Sequence, residues 1–410
     1  MITNERKSVN DYTYPSSLFF ESPYKYYDDL RQNNPVFYSK ELKAWLVTSY
    51  DLVKSSLINP TFAASRNDTY FGMLPGEAKK ELRPLNEFFH QWMLFSDPPY
   101  HDKVKNLVRA SFTPRFVTSM QDSIRFQSNA QVEKMLQKDV VDIVPDITTP
   151  LSVGIIAEVL GVSKNDYLQI VSWTNNIIGF MGTGTPEVER GRQAMSSYKE
   201  LQKYLYDLFD KKRINPTEDL VSNLVQNQQD NDVGDQELLA TVANILIDGH
   251  EPSSLSLANG INALIDNPEQ YALLQRSPEL ANSAVEEVLR YDPAFSYAGR
   301  RTTEANILGG VPIGAEQRIL FLFGGANRDP SQFSNPHDFN ITRSPNKHLT
   351  FGHGTHYCLG SALARATISE ALMAFSQRIN NPKKLAQPNW RHSIGYRAFD
   401  NLPISFDSRG

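Results

Sequence analysis

Cys358 is the sole cysteine in 410 residues, in the stretch Phe351-Gly-His-Gly-Thr-His-Tyr-Cys-Leu-Gly360. A single thiol excludes an internal disulfide framework, and a lone intracellular cysteine is ordinarily a small buried hydrophobe. Its neighbours point elsewhere. Gly352, Gly354 and Gly360 open backbone conformations closed to other residues and let a flat partner approach. Leu363, Ala366, Leu372 and Phe375 recur at helical spacing, so a helix is expected over 359–378. Cys358 then lies where a loop enters a helix, and the amides and dipole there favour a thiolate, a strong metal ligand. Zinc is the competing metal, with His353, His356 and Cys358 close in sequence. A structural zinc site wants four ligands and gives Phe351 and the glycines no use.

Four further groups have spacing that matters. Glu287 and Arg290 stand at i,i+3 on a predicted helix and share a face, and Glu286 at i,i+4 also reaches Arg290. His101 and Lys105 stand at i,i+4 after Asp97-Pro-Pro-Tyr100. Arg300 and Arg301 are adjacent on a predicted strand, so only one of them faces a given side. Asp248, His250, Glu251 and Pro252 fall inside a helical pattern from about 236 to 264. Pro252 lacks an amide hydrogen, so a kink is expected, with the carbonyl of Asp248 left free.

The pattern Phe-x-x-Gly-x-His-x-Cys-x-Gly at 351, 354, 356, 358 and 360 closely resembles the haem-ligand loop of the cytochrome P450 family, and other parts follow in the family's order from about residue 20 to residue 407. The resemblance implies that Cys358 is the thiolate ligand of a haem b iron, whose electron donation favours O–O cleavage. It also implies that His356 meets a haem propionate, that Phe351 packs beside the sulfur, and that Gly352, Gly360, Ala364, Leu94 and Gly249 border the haem. Propionates that are partly buried must meet cations or donors. His101, Lys105 and, by register with the family, Arg300 are expected there. The family usually has arginine where Lys105 stands, so a fork is replaced by a point charge. The family's Glu-x-x-Arg pair selects Glu287 with Arg290, joined by Arg343 from the later loop, as a structural triad.

In the family a long helix over the haem carries Ala/Gly-Gly-x-Glu/Asp-Thr, whose acid and hydroxyl bring protons to the reaction. Here Gly249, His250 and Glu251 match, Asp248 replaces the small residue, and Pro252 stands at the threonine. The catalytic candidates are therefore Glu251, Pro252, Ser253 and Asp248, with protons coming from Glu251 through water, from Ser253, or from a substrate hydroxyl. Substrate contacts implied by the resemblance are Phe71, Trp92, Phe95, Ile178, Phe180, Met181, Ile245, Asp248, Phe295, Tyr297 and Phe399, an aromatic-rich wall suited to an apolar or aromatic small molecule. Asp248, His250 and Tyr297 add polar contacts.

The elements that must position these residues are mostly helices, for example around 151–160, 201–208 and 239–247. Strand-like runs are few: 44–48, 317–323 and 402–406. The class is mainly α with small β-sheets (α+β), the cytochrome P450 fold. No linker, repeat or low-complexity run divides the chain, so one domain over 1–410 is expected, with a polar tail to about residue 15. That tail has no signal-peptide segment and no 18-residue apolar run appears, so a cytoplasmic protein without a membrane anchor is expected; a monomer is expected as well. A net charge of −5 gives no reason to expect nucleic acid binding. The resemblance implies a ferredoxin or flavodoxin with its reductase, docking near Arg109, Arg115 and Arg365. The expected activity is insertion of one oxygen atom from O₂ into a small organic molecule, by hydroxylation or epoxidation, in natural-product tailoring. Two alternatives stand beside it. One is oxidative coupling, dehydrogenation or peroxide-driven chemistry, prompted by Pro252; the other is a haem-based binding or sensor protein that turns nothing over.

Overall fold

The computed structural model describes residues 17–109, 112–181 and 185–408. The expected polar tail lies outside the described residues. Helices dominate and the sheets are small, as the patterning implies. The central rod is the helix Asp235–Asp266, 32 residues long and buried on every side from Leu238 to Leu264. A helix enclosed this far, polar residues included, belongs to the core rather than the surface. Its first turn is held by Glu237, whose carboxylate accepts the Gly234 amide hydrogen at 2.8 Å. It runs unbroken through Pro252. The proline therefore removes one backbone hydrogen bond without ending the helix.

Against this rod pack the helices Thr149–Leu160, Ala281–Tyr291 and Ser361–Arg378. Gly249 sets the first approach: a Cβ there would lie 2.6 Å from Cδ1 of Ile156. The stretch Ile143–Leu160 departs from expectation, since at mean hydropathy 1.5 it is long and apolar enough to cross a membrane. It is 72% buried inside the fold and packs against the central helix, as a core helix does.

The main sheet runs in spatial order Val36–Ser39, Ala44–Val47, Arg318–Leu322, Tyr297–Thr302 and Phe62–Ala63. Ala44–Val47 pairs parallel with Arg318–Leu322, and the other pairings are antiparallel. Arg300 sits opposite Ile319. Strand alternation turns Arg300 inward, while Arg301 reaches Ser65 O and the carboxylate of Glu316 on the other face. A three-stranded sheet joins Val141–Asp142, Pro403–Ser408 and Ile379–Lys384.

Candidate active site

One cavity, with about 270 Å³ open to the centres of water-sized spheres, is bordered by the cysteine loop below and the central helix above. Phe351, Gly352, His356, Cys358, Gly360 and Ala364 face it from one side, and Ile245, Asp248, Gly249, Pro252 and Ser253 from the other. Leu94, His101, Lys105, Phe295 and Arg300 complete the wall. The loop is shaped by Gly352 and Gly354, at φ 73° and 75°, which L side chains adopt only with strain. The Cys358 amide donates to Phe351 O at 2.9 Å, and the helix that follows begins at Ser361.

Burial pushes the Cys358 thiol up to about 11, although the Gly360 amide and Arg365 pull the other way. The amides at the helix start pull toward the thiolate as expected, burial pulls the other way, and a cation on the sulfur would keep it ionised. At the cavity's cationic edge the rings of His101 and His356 lie 4.3 Å apart. Burial, then Arg300 and His101, hold His356 down at about 3, so it is neutral. Lys105 Nζ donates to Thr355 O. Arg300, buried, donates to Gly299 O at 2.8 Å, and no carboxylate lies within ion-pair reach of it among the described residues. A thiol, apolar walls and an edge of two imidazoles, Lys105 and the buried, unpaired Arg300 fit a haem, whose iron the sulfur would hold and whose propionates that edge would receive. No three His, Cys, Asp or Glu side chains gather as a metal site among the described residues, which leaves the zinc alternative without a donor set.

On the central helix the two acids part company. Asp248 lines the cavity, and burial raises its carboxyl to about 7 against the hydrogen bond from Asn244. Glu251 does not line it. Its Oε1 is 3.0 Å from Nη1 of Arg391 and its buried Oε2 has no partner, so in this structure the carboxylate expected to bring protons is held in an ion pair rather than at the cavity. His250 is likewise turned away, its Nδ1 2.7 Å from Leu246 O. Ser253 Oγ faces the cavity while donating to Gly249 O at 3.3 Å.

Trp92, Phe95, Ile178, Met181 and Tyr297 line a smaller chamber beside the main cavity. Phe71 and Phe399 line neither. Phe71 packs edge-on against Phe180 and Tyr70, and Phe399 against Trp390 at 5.0 Å, so both are core, as is Phe180. Arg66, Asn67, Arg318 and Tyr396 line that chamber and carried no signal in the sequence.

Outside the cavity, Arg290 donates to both Glu287 oxygens at 2.7 and 2.8 Å, and Arg343 Nε lies 3.1 Å from Glu287. Glu286 turns instead to Arg365 and His348, which, against burial, hold its carboxyl down at about 2. Arg365 also covers the Phe351 ring at 4.4 Å, so it is only partly free to meet a partner. Arg109 and Arg115 are exposed.

The family described as Cytochrome P450 matches residues 111–380. The chain is 32% identical over 400 residues to the biotin biosynthesis cytochrome P450 of Bacillus subtilis, covering 96% of this chain and 98% of that one. It is 32% identical over 402 residues to the 6-deoxyerythronolide B hydroxylase of Saccharopolyspora erythraea, with 96% and 98% covered. Among solved structures, P450BioI in complex with an acyl carrier protein ligated to hexadec-9Z-enoic acid superposes with TM-score 0.89 at 31% identity, over 95% of this chain and 100% of that one.

Proposed function

The chain belongs to the cytochrome P450 family and is a monooxygenase, and from that premise we propose that Cys358 carries its haem iron and that Asp248, in place of Glu251, keeps the proton the reaction consumes. When bound, the haem activates O₂ and delivers one oxygen atom to the substrate. The observation that carries the rest is that Cys358 and Asp248 line one cavity from opposite elements while Glu251 is turned to Arg391.

On this reading the Cys358 thiolate holds the iron, and His101, Lys105, Arg300 and His356 receive the propionates by charge and hydrogen bonding. Asp248, raised to about 7 by burial, is about half protonated near neutral pH, so it can both hold and release a proton where it lines the cavity. Pro252 keeps the carbonyl of Asp248 without a helical amide, and Ser253 offers a hydroxyl one residue on. Glu287, Arg290 and Arg343 hold the loop that precedes the cysteine stretch.

The enzyme takes a small-molecule substrate and electrons from a redox partner. We read the partner as a ferredoxin or flavodoxin approaching the cysteine side, where Arg109 and Arg115 are exposed. The chain is read as one domain and a cytoplasmic monomer. Relatives named as hydroxylases favour oxygen insertion over the coupling and sensor alternatives. The test is turnover of the haem-loaded protein with a ferredoxin and reductase on a panel of small aromatic molecules. A product heavier by about 16 Da supports insertion, a loss of about 2 Da supports coupling or dehydrogenation, and no reductase-dependent product supports the sensor.

A further inference from the structure

The smaller chamber, with about 80 Å³ open to the centres of water-sized spheres, shares Arg66, Leu94, Asp248, Phe295 and Arg300 with the haem cavity. Its aromatic walls alone would suit an apolar ligand. Three of its polar side chains do not. Asn67 is fully buried and neither its Oδ1 nor its Nδ2 has a hydrogen-bond partner. Trp92 is 3% exposed and its Nε1 has none either. The Arg66 guanidinium donates to Ala64 O at 2.9 Å and lies over the Phe95 ring, with no carboxylate within ion-pair reach among the described residues. Each buried group left unpaired costs about 1–3 kcal/mol, so Asn67 and Trp92 beside the half-buried Arg66 cation call for a partner that completes them.

The nearby carboxylates do not serve. Both oxygens of Asp97 are taken by the Ala64 and Ser65 amides at 2.8 and 3.0 Å. Asp248 receives the Asn244 amide, and burial keeps it half protonated near neutral pH. The placement of Arg66 is built into the fold: it lies flat against the strand Tyr297–Thr302 because residue 299 is glycine, where a Cβ would stand 2.5 Å from Arg66 Nε. Arg318 adds a second guanidinium to the wall, donating to Leu42 O at 2.9 Å.

We propose that the substrate is a free organic acid whose carboxylate is bound in this chamber by Arg66, Asn67 Nδ2 and Trp92 Nε1, with its apolar part reaching into the haem cavity. The assignment rests on the monooxygenase reading above. A guanidinium with two further N–H donors matches the flat two-oxygen face of a carboxylate. Asn67 Oδ1 remains as an acceptor, which an O–H or N–H beside the carboxylate satisfies. A thioester or ester offers no charge to Arg66.

The experiment titrates the purified haem protein with phenyllactate, hydrocinnamate, methyl hydrocinnamate and hydrocinnamyl alcohol, following the Soret band. The expected affinity order is phenyllactate, then hydrocinnamate, then the two uncharged probes, which bind about tenfold or more weaker than hydrocinnamate. Arg66→Gln removes the acid preference and leaves the alcohol's affinity unchanged. Trp92→Phe keeps the ring and weakens the two acids alone, and decides the matter if Arg66→Gln does not fold. Equal binding of acid, ester and alcohol overturns the proposal. So does Arg66→Gln protein that keeps the acid preference in its haem-bound fraction while retaining less haem than wild type, since Arg66 then belongs to a propionate. Wild-type protein that binds no haem would instead refute the underlying reading.

Discussion

Oε1 of Glu251 lies 3.0 Å from Nη1 of Arg391, 140 residues later, and this ion pair draws the helix's best-placed acid by sequence away from the cavity that Asp248 faces. Two acids three positions apart on one helix thus meet different surroundings, one an arginine and one the cavity.

Exchange of these acids separates the two roles. Asp248→Asn is expected to raise peroxide release per electron pair and lower product yield about tenfold or more, within the usual worth of a positioned proton carrier. Glu251→Gln keeps a hydrogen bond to Arg391 and is expected to change the yield far less. Oxygen uptake and peroxide assays on both variants check this; the reverse ranking returns the proton to Glu251.

Asp248 also sets a pH dependence. Its folded value of about 7 lies above the ordinary value of about 3.9, so between them the folded state binds more protons than the unfolded one. Stability therefore falls as pH rises from about 4 to about 7 and levels off above. Urea midpoints measured across that range are expected to show the slope in wild type and to lose this contribution in Asp248→Asn.

The Glu287, Arg290 and Arg343 cluster predicts a large stability effect. Glu287 and Arg290 side chains are fully buried, and Arg343 nearly so. Glu287→Ala leaves two buried guanidiniums without their carboxylate and is expected to cost about 3–5 kcal/mol, read as a lower unfolding midpoint and poor haem retention.

Gly249→Ala tests the helix crossing. The added Cβ meets Cδ1 of Ile156 at 2.6 Å, so that side chain must shift or the helices part, at a cost of about 1–3 kcal/mol in thermal unfolding. Ile156→Val in the same chain is expected to recover part of the loss.

What the sequence made legible was local. The cysteine loop and the Glu287/Arg290 pair are set by short spacings, and the long helix by its apolar periodicity. Facing was harder to read. Asp248 and Glu251 differ by three positions, which helical geometry places on roughly one face, and the arginine that claims Glu251 is remote in sequence. Phe71 and Phe399 have the right type for a substrate wall, but packing against Phe180 and Trp390 decided their place. Arg66 and Asn67 sit in Ala-Ala-Ser-Arg-Asn-Asp, which reads as a polar surface loop until the fold buries it. The strand Ile379–Lys384 was missed because it follows a helix directly and is mostly polar.

The central claim is that Cys358 binds haem iron as a thiolate. The direct measurement is the absorption spectrum of the dithionite-reduced protein under carbon monoxide, beside Cys358→Ser. Wild type is expected to show a Soret band at about 450 nm that is absent from the variant. A band at about 420 nm in both, or no haem in wild type, would contradict it.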